Sequence, residues 1–377
     1  MKIKKLFLFS SIFLGSLATG LGAYLIYQTS TNKSNSTTAA LNQTEKLNST
    51  SNLENTNLVP DHKKNSIRIG FWNVLNYSNK SSKTNTAKTY AISQVINSTK
   101  LDLVGLAEIT QTGDGSDIVK ELNTLNPNAA WKEITTAEEG KVNQKEKYTF
   151  LYKSSLLEIA NFASPSNPYL IQKGVKLEWA RPLAAVKFNT KTERKEDFTF
   201  VIGHFDAPGV QKNRGEIQDK ETSQGSQEAA EARDLINLLV EIDKKDGENK
   251  EIIFMADTNI RAENSEKLFK STLNSYRSLL DKEEKTSLSN TFGKYSNSYD
   301  KIFYKGNLVA NNGQKFDIFS IFKKNIANVK KYDELRKKDG RSMNYKINQL
   351  GEINRIKGIS DHTMVYFDLE LGQNSQN

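Results

Sequence analysis

Apolar positions between residues 67 and 109 predict two buried strands joined by a helix. Residues 67–74 alternate and then stay apolar, and residues 101–109 form a second apolar run of strand length. Between them, residues 86–100 carry apolar side chains at helical spacing. A strand, a helix and a strand in this order predict a parallel crossover unit, whose functional groups collect where the strands end.

The rest of the chain mixes strand patterns with one long helical pattern. Helical spacing over residues 226–242 predicts a helix with Ser226 as N-cap and Glu228 in its first turn. Strands are predicted at residues 146–152, 183–188, 198–205, 251–256, 298–304 and 365–369. The apolar face of the long helix is predicted at Ala229, Ala232, Leu235, Ile236, Leu239 and Val240.

Polar side chains stand at the ends of several predicted strands. Asn73 and Glu108 end the two strands of the crossover unit, so we expect them to lie side by side. An amide oxygen and a carboxylate are hard ligands that suit Mg²⁺. The alternative is that both groups only cap turns. Asp257 and Asn259 follow a third strand two residues apart, and alternation turns both side chains to one face.

The chain has three histidines, and two of them fall at strand ends. His204 ends the strand at 198–205, and His362 follows Asp361 just before the strand at 365–369. Histidine is the side chain best suited to move a proton near neutral pH. The alternative is a satisfied structural histidine. We assign no role to the third, His62.

Composition narrows the partners and the chemistry. The formal net charge is +9 and the pI is about 9.2, which suits a polyanionic partner, although a generally Lys-rich composition gives the same charge. The absence of cysteine excludes disulfides, thiol catalysis and an N-terminal lipoprotein cysteine.

The N-terminus predicts a targeting segment. Lys2, Lys4 and Lys5 precede an uncharged, mainly apolar run at residues 6–27. Its length favours an uncleaved signal anchor over a signal peptide, and the glycines within it leave cleavage open. The preceding lysines predict an extracytoplasmic location for the rest of the chain. We expect a Ser/Thr/Asn-rich tether at 28–65, a folded domain at 66–370 and a tail at 371–377.

Taken in order, the strand-end motifs resemble those of the endonuclease/exonuclease/phosphatase superfamily, whose best-known member is deoxyribonuclease I. The resemblance covers residues 66–370 and implies a four-layer α/β/β/α sandwich of two mixed sheets. With the anchor and the tether, the chain resembles a mycoplasma-type membrane nuclease. The matching motifs are Trp72-Asn73, the strand end at Glu108, Glu146-Lys147-Tyr148, Arg181-Pro182, Gly203-His204, Asp257-Thr258-Asn259, Tyr299-Asp300-Lys301-Ile302 and Ser360-Asp361-His362.

The resemblance implies a role for each histidine. His362 matches the general base and Asp300 the carboxylate that orients it. His204 matches the histidine on the leaving-group side, paired with Glu146. A carboxylate beside a histidine fixes its tautomer and stabilises the imidazolium, as in a catalytic triad.

The resemblance also implies a metal site and phosphate contacts. Asn73 and Glu108 match the principal metal site, which implies Mg²⁺, with Ca²⁺ as a second candidate. Arg181 matches a phosphate-binding arginine, although a salt bridge at the core edge is an alternative. The residues that match those holding phosphate, nucleophile or a second metal are Asp257, Asn259 and Asp361.

Three departures from the family pattern stand out. Thr258 replaces an aromatic or small apolar residue, which is tolerated if its side chain points away. The loop at 206–225 and the segment at 320–357 are longer than in deoxyribonuclease I. Within the second, residues 323–357 contain 11 Lys and Arg against 4 Asp and Glu. This basic insert could bind a second stretch of nucleic acid, or be a solvated amphipathic helix or a disordered loop.

Three functions remain open at this point. The first is a membrane-tethered, extracytoplasmic nuclease that degrades DNA, with RNA as a further candidate substrate. The second is a phosphodiesterase of the same fold acting on a phospholipid, such as a sphingomyelinase, for which the sequence offers no clear membrane-inserting hairpin. The third is a non-catalytic surface binding module, which has no need of the whole polar set.

Overall fold

The computed structural model describes residues 65–80, 85–162, 168–175, 177–341 and 349–374. The chain divides into two units, residues 1–55 and 56–377, and every described residue belongs to the second. The predicted signal anchor and all but the last residue of the predicted tether lie outside the described residues. Within the described ranges, no helix is long and apolar enough to cross a membrane.

The first sheet is built on the predicted crossover unit. β1 (Ser66–Tyr77) pairs in parallel with β2 (Leu103–Ile109), and α1 (Thr86–Ser98) connects them. The other strands of this sheet are β3 (Trp131–Thr135), β4 (Lys147–Lys153), β12 (Leu308–Ala310), β13 (Gln314–Lys315) and β14 (Val365–Asn374). All of their pairings are antiparallel, and the order is β12-β14-β1-β2-β4-β3, with β13 beside β14.

The second sheet contains a second crossover unit. β8 (Asp197–His204) pairs in parallel with β9 (Ile252–Asp257), and α3 (Ser226–Asp243) lies between them in sequence. The other strands are β5 (Leu157–Ala160), β6 (Tyr169–Lys173), β7 (Glu178–Thr190), β10 (Arg277–Ser278) and β11 (Asp300–Lys305). The order is β10-β11-β9-β8-β7-β5, with β6 beside β7.

Three apolar clusters separate four layers. Phe71, Phe150 and Phe200 belong to the cluster between the sheets, while Trp72 faces a cluster shared with helices. This alternation follows from the two-residue period of a strand. The first sheet is covered by α1, α2 (Ser116–Leu125), α6 (Val329–Lys338) and α7 (Gln349–Lys357); the second by α3, α4 (Ala262–Leu268) and α5 (Lys270–Leu273). The predicted α/β/β/α sandwich is therefore confirmed.

The start and the face of α3 differ from the prediction. Ser226 is the first helical residue, and Gly225 takes the N-cap position with an extended backbone. Val240 was predicted to be buried but is 39% exposed, because it follows Leu239 by a rotation of about 100° toward solvent. Ile242 completes the buried face instead.

The basic segment at 323–357 is part of the folded domain where it is described. Tyr332 of α6 is fully buried in the helical layer of the first sheet. Asp339 caps α1, accepting hydrogen bonds from Thr86 Oγ1 at 2.5 Å and from the Ala87 amide at 3.0 Å. The described part thus includes an amphipathic helix, α6, which packs on the domain through Tyr332 and exposes its lysines, and residues 342–348 lie outside the described ranges.

Candidate active site

Strand register in the second sheet places three polar residues in a row. His204 ends β8 directly opposite Asp257 at the end of β9. Asp300 begins β11 directly opposite Asp257 on the other side. Because one strand runs parallel to β9 and the other antiparallel, a strand end and a strand start meet at the same edge.

His362 lies between two carboxylates. Its Nδ1 is 2.8 Å from Asp300 Oδ2, and its Nε2 is 3.2 Å from Asp257 Oδ2. The segment before β14 that carries it is fixed to β1, since Trp72 Nε1 donates to the His362 carbonyl at 2.9 Å and Ser360 Oγ donates to the Asn73 carbonyl at 2.6 Å. The second sheet therefore positions the imidazole, and the first sheet holds its backbone.

His204 has a similar arrangement with a different partner. Its Nδ1 is 3.0 Å from Glu146 Oε2, and its Nε2 is 3.7 Å from Asp257 Oδ2. Its amide donates to Tyr148 Oη at 3.1 Å. Both imidazoles are thus buried with Nε2 within 4 Å of the same oxygen of Asp257, and each has Nδ1 against a carboxylate of its own.

Asn73 connects the histidine pair to Glu108. Its Nδ2 donates to Glu108 Oε1 at 2.8 Å and to Asp257 Oδ2 at 3.0 Å, and its Oδ1 accepts from the Leu75 amide. Glu108 Oε2 accepts from the Asn76 amide at 3.0 Å. Glu108 has a φ of 58°, a left-handed conformation that costs energy for a non-glycine residue. The predicted neighbours are therefore in direct contact.

Glu108 and Asp361 at this edge offer carboxylate oxygens, the donor type that a hard divalent cation prefers. Asp361 Oδ1 is buried and has no hydrogen-bond partner among the described residues, and Glu108 is only partly buried. An oxygen in this state is costly unless a proton or a cation meets it. Asp257, Asp300 and His362 also offer atoms within 4.8 Å of one another. These atoms are already in contact, since His362 lies against both carboxylates.

The histidines and carboxylates of the site shift one another's pKa values. Burial lowers the pKa of His362, but Asp257 and Asp300 outweigh it, and the pKa is raised well above the ordinary value. Burial and Arg181 lower the pKa of His204, and Glu146 reverses this, so the pKa is raised. Burial alone would raise the pKa of Asp257, but the two histidines lower it below the ordinary value.

Comparison with known proteins addresses the fold. No family model matches the sequence. An uncharacterized protein of Mycoplasma pneumoniae is 37% identical over 130 residues, a match that spans 34% of this chain and 26% of that protein. The chain thus covers about a quarter of that relative's length.

Solved structures match across most of the chain. An endonuclease/exonuclease/phosphatase family protein from Bacteroides thetaiotaomicron is 13% identical with a TM-score of 0.50, covering 83% of this chain and all of that one. A Bacteroides vulgatus endonuclease/exonuclease/phosphatase is 16% identical with a TM-score of 0.50, covering 82% of this chain and 100% of that one. Humanized D. rerio TDP2 is 11% identical with a TM-score of 0.50, covering 81% and 99%. The chain has the endonuclease/exonuclease/phosphatase fold.

Arg181 stands on the His204 side of this endonuclease/exonuclease/phosphatase fold. Its Nε is 3.0 Å from Glu146 Oε2, although the two atoms are not aligned as a hydrogen bond, so the contact is an ion pair. Its Nη1 donates to the Phe205 carbonyl at 2.8 Å. The predicted arginine is therefore at the site, held through the carboxylate that also contacts His204.

The Asp257-Thr258-Asn259 segment directs the Thr258 side chain away from the histidines. Thr258 Oγ1 donates to the Tyr299 carbonyl at 2.8 Å, away from the histidines. This is the orientation in which a threonine was expected to be tolerated at this position. The Asn259 amide donates to Asp257 Oδ1 at 3.1 Å. Asn259 Nδ2 is 3.4 Å from the Phe205 carbonyl, so this side chain braces the end of β8.

Lys88 is a buried residue of the site that the sequence analysis missed. From α1, its Nζ donates to the carbonyls of Val74 at 2.7 Å and Leu75 at 2.5 Å. Burial lowers the pKa of Lys88 to about 7, against the opposing effect of Glu108 and Asp361. Its position next to Ala87, on the buried side of α1, was the available signal, since a lysine there must find partners.

Proposed function

We propose that this chain is a metal-dependent phosphodiester hydrolase that degrades nucleic acid. The observation that carries the proposal is the convergence of two buried histidine–carboxylate couples on Asp257 Oδ2, beside the Asn73–Glu108 pair. Phosphodiester hydrolysis needs an activated water, a protonated leaving oxygen and neutralised phosphate oxygens. A binding module requires none of these in one place.

His362 is the group we assign to the attacking water. Nε2 is the nitrogen that takes the proton, because Nδ1 is held by Asp300 Oδ2 at 2.8 Å. Asp300 fixes the tautomer and stabilises the imidazolium once the proton has moved. Since Asp257 and Asp300 raise the pKa of His362, the deprotonation that a general base requires is shifted to higher pH.

His204 is assigned to the leaving oxygen. Glu146 holds Nδ1 at 3.0 Å and raises the pKa of the imidazole, which leaves Nε2 as the proton donor. Arg181, paired with Glu146, supplies positive charge on the same side. Glu108 and Asp361, with Asn73 beside them, are the residues that would hold the divalent cation. When bound, such an ion neutralises charge that develops on the phosphate.

Charge and surface support nucleic acid over a lipid substrate. The net charge of +9 attracts a polyanion. In the described part of the chain, the exposed large apolar residues are all aliphatic, with no aromatic among them: Leu125, Val142, Val175, Ile217 and Val240. Aromatic side chains are enriched where a protein surface meets a membrane.

We also propose that the chain is held on the outer face of the membrane by its N-terminus. The basic start and the apolar run at residues 6–27 support this placement. Protease treatment of intact cells tests it. Digestion of the folded domain with retention of the N-terminal peptide in the membrane fraction is expected, and full protection of the domain would contradict it.

The direct test is hydrolysis by the purified full-length chain with Mg²⁺. Circular DNA, linear DNA, RNA and sphingomyelin vesicles are compared, each with and without Ca²⁺ and each with excess EDTA. We expect cleavage of DNA that EDTA abolishes, and nicking of the circular form would identify internal cuts. Release of choline phosphate without DNA cleavage would make the lipid phosphodiesterase correct, and undiminished cleavage in EDTA would remove the metal site.

A further inference from the structure

A second group of oxygens surrounds Gly225, on the loop that leaves β8 and enters α3. A Cβ at Gly225 would lie 2.4 Å from Glu216 Oε1, 2.5 Å from Glu228 Oε2 and 2.7 Å from the Gly209 carbonyl oxygen. These three oxygens therefore lie close together against the Gly225 Cα, where a side chain would not fit. Asp206, Glu216 and Glu228 each offer an oxygen within 4.8 Å of the other two.

One of these oxygens is buried without a partner. Glu228 is 0% exposed, and its Oε2 has no hydrogen bond among the described residues. Its Oε1, in contrast, accepts from the Gly209 amide at 2.7 Å and from the Gly225 amide at 2.6 Å. A buried carboxylate oxygen in this state is destabilising unless a proton or a cation lies against it.

The charges around Glu216 and Glu228 favour a cation. Arg214 Nη2 lies 2.7 Å from both oxygens of Asp206, which compensates that carboxylate. Within the described ranges, neither Glu216 nor Glu228 forms a salt bridge with a basic side chain. Burial raises the pKa of Glu228 to about 7, which agrees with a negative charge that lacks a counter-ion.

We propose that Glu216, Glu228 and the Gly209 carbonyl form a calcium site, separate from the hydrolytic site. Carboxylate and carbonyl oxygens in an irregular loop are ligands for Ca²⁺, whereas Mg²⁺ demands a stricter octahedral shell that is mostly water. The loop begins just after His204, at the end of β8. Bound calcium would tie this loop to the start of α3. The proposal does not depend on the reaction that the chain catalyses.

Titration calorimetry with Ca²⁺ tests the site in the full-length Glu108→Gln variant. This substitution neutralises the main carboxylate of the hydrolytic metal site. Adding Glu216→Gln should weaken one binding step at least 10-fold. Glu221→Gln is the matched control, since it removes a carboxylate of the same loop that contacts Arg233 instead. We expect Glu221→Gln to leave the step unchanged. Equal affinity in the Glu216→Gln and Glu221→Gln proteins would overturn the proposal.

Thermal unfolding provides an independent readout. Ca²⁺ should raise the Tm of the Glu108→Gln protein and raise it less when Glu216→Gln is added. Gly225→Ala should remove the response because its Cβ would displace the three oxygens, and where this variant does not fold, Glu216→Gln decides. If millimolar Ca²⁺ neither binds nor changes the Tm of the Glu108→Gln protein, the Glu228 oxygen holds a proton only, and the calcium site is refuted.

Discussion

The two histidines of the candidate site resemble each other in geometry and differ in electrostatics. Each has Nε2 near Asp257 Oδ2 and a carboxylate on Nδ1. Asp257, Asp300 and Asp361 all raise the pKa of His362, whereas Arg181 opposes the effect of Glu146 on His204. The two histidines therefore differ in proton affinity, because acidic residues surround His362 whereas Arg181 lies beside His204.

The largest expected effect separates the two histidines by rate. His362→Ala should reduce kcat/KM by roughly 10³–10⁴-fold and His204→Ala by roughly 10²–10³-fold, as for the removal of a positioned base or acid. Steady-state cleavage of plasmid DNA measures both, with circular dichroism to verify folding. His62→Ala is the control, since no role is assigned to it. An unchanged rate in either site variant would remove that histidine from the mechanism.

The carboxylate partners should separate the two roles by pH. Asp300→Asn removes a charge that raises the pKa of His362, so the acid limb of kcat/KM should move to lower pH. Glu146→Gln lowers the pKa of His204, so the alkaline limb should move to lower pH. We expect rate losses of roughly 10–100-fold at the optimum. Movement of the same limb in both variants would contradict the division of labour.

The shifted pKa values should also make the free energy of unfolding depend on pH, with a smaller effect than on the reaction rate. The raised pKa of His362 stabilises the fold fully below about pH 6.5, and this contribution is lost as pH rises through the folded-state pKa. The lowered pKa values of Asp257 and Glu146 contribute above about pH 4 and are lost as pH falls.

Urea unfolding of the metal-free protein between pH 4 and pH 9 measures this contribution. His362→Gln should flatten the alkaline decline by about 1.4 kcal/mol for each unit by which the pKa is raised. The wild-type decline should persist in the His62→Gln control. A decline that is equally steep without His362 would mean that another group titrates there.

The smallest expected effect concerns the surface on the side of the first sheet. Lys330 and Lys337 are exposed on α6. If nucleic acid extends over this side of the fold, Lys330→Gln with Lys337→Gln should lower the slope of log K against log salt by up to about 2. Lys244→Gln, at the end of α3 on the other sheet, is the control. An unchanged slope would confine binding to the rest of the surface.

Deletion of the basic segment is not a usable test. Tyr332 is buried in the helical layer and Asp339 caps α1, so removing residues 323–357 would expose apolar surface and leave helix amides unpaired. Changes confined to exposed lysines keep those contacts. They therefore report on charge alone.

The polar residues at strand ends could be predicted because they follow apolar runs in the sequence. Asn73 and Glu108 end apolar runs separated by a helix, and that pattern alone places them side by side. The carboxylate partner of each histidine came from the family resemblance, since no periodicity relates Glu146 to His204 across 58 positions. The shared use of Asp257 Oδ2 depends on strand register, which sequence patterns do not specify.

What remained hidden depends on packing. Lys88 and Glu228 are charged residues on the buried sides of helices, where charged side chains are rare unless they are paired. Lys88 donates to the Val74 carbonyl of β1 and Glu228 accepts from the Gly209 amide, contacts that only the folded chain forms. The α3 start shifted by one residue because Gly225 provides the extended backbone of an N-cap without a side chain.

The central claim is that both imidazoles act on one phosphodiester through a shared carboxylate. The most direct measurement is the single-turnover cleavage rate of a short DNA duplex with Mg²⁺, for each histidine-to-alanine variant and for the double variant. Residues that act as a unit are not additive, so we expect the double variant to be within roughly 10-fold of His362→Ala alone. Losses that multiply would contradict the shared site and indicate two independent functions.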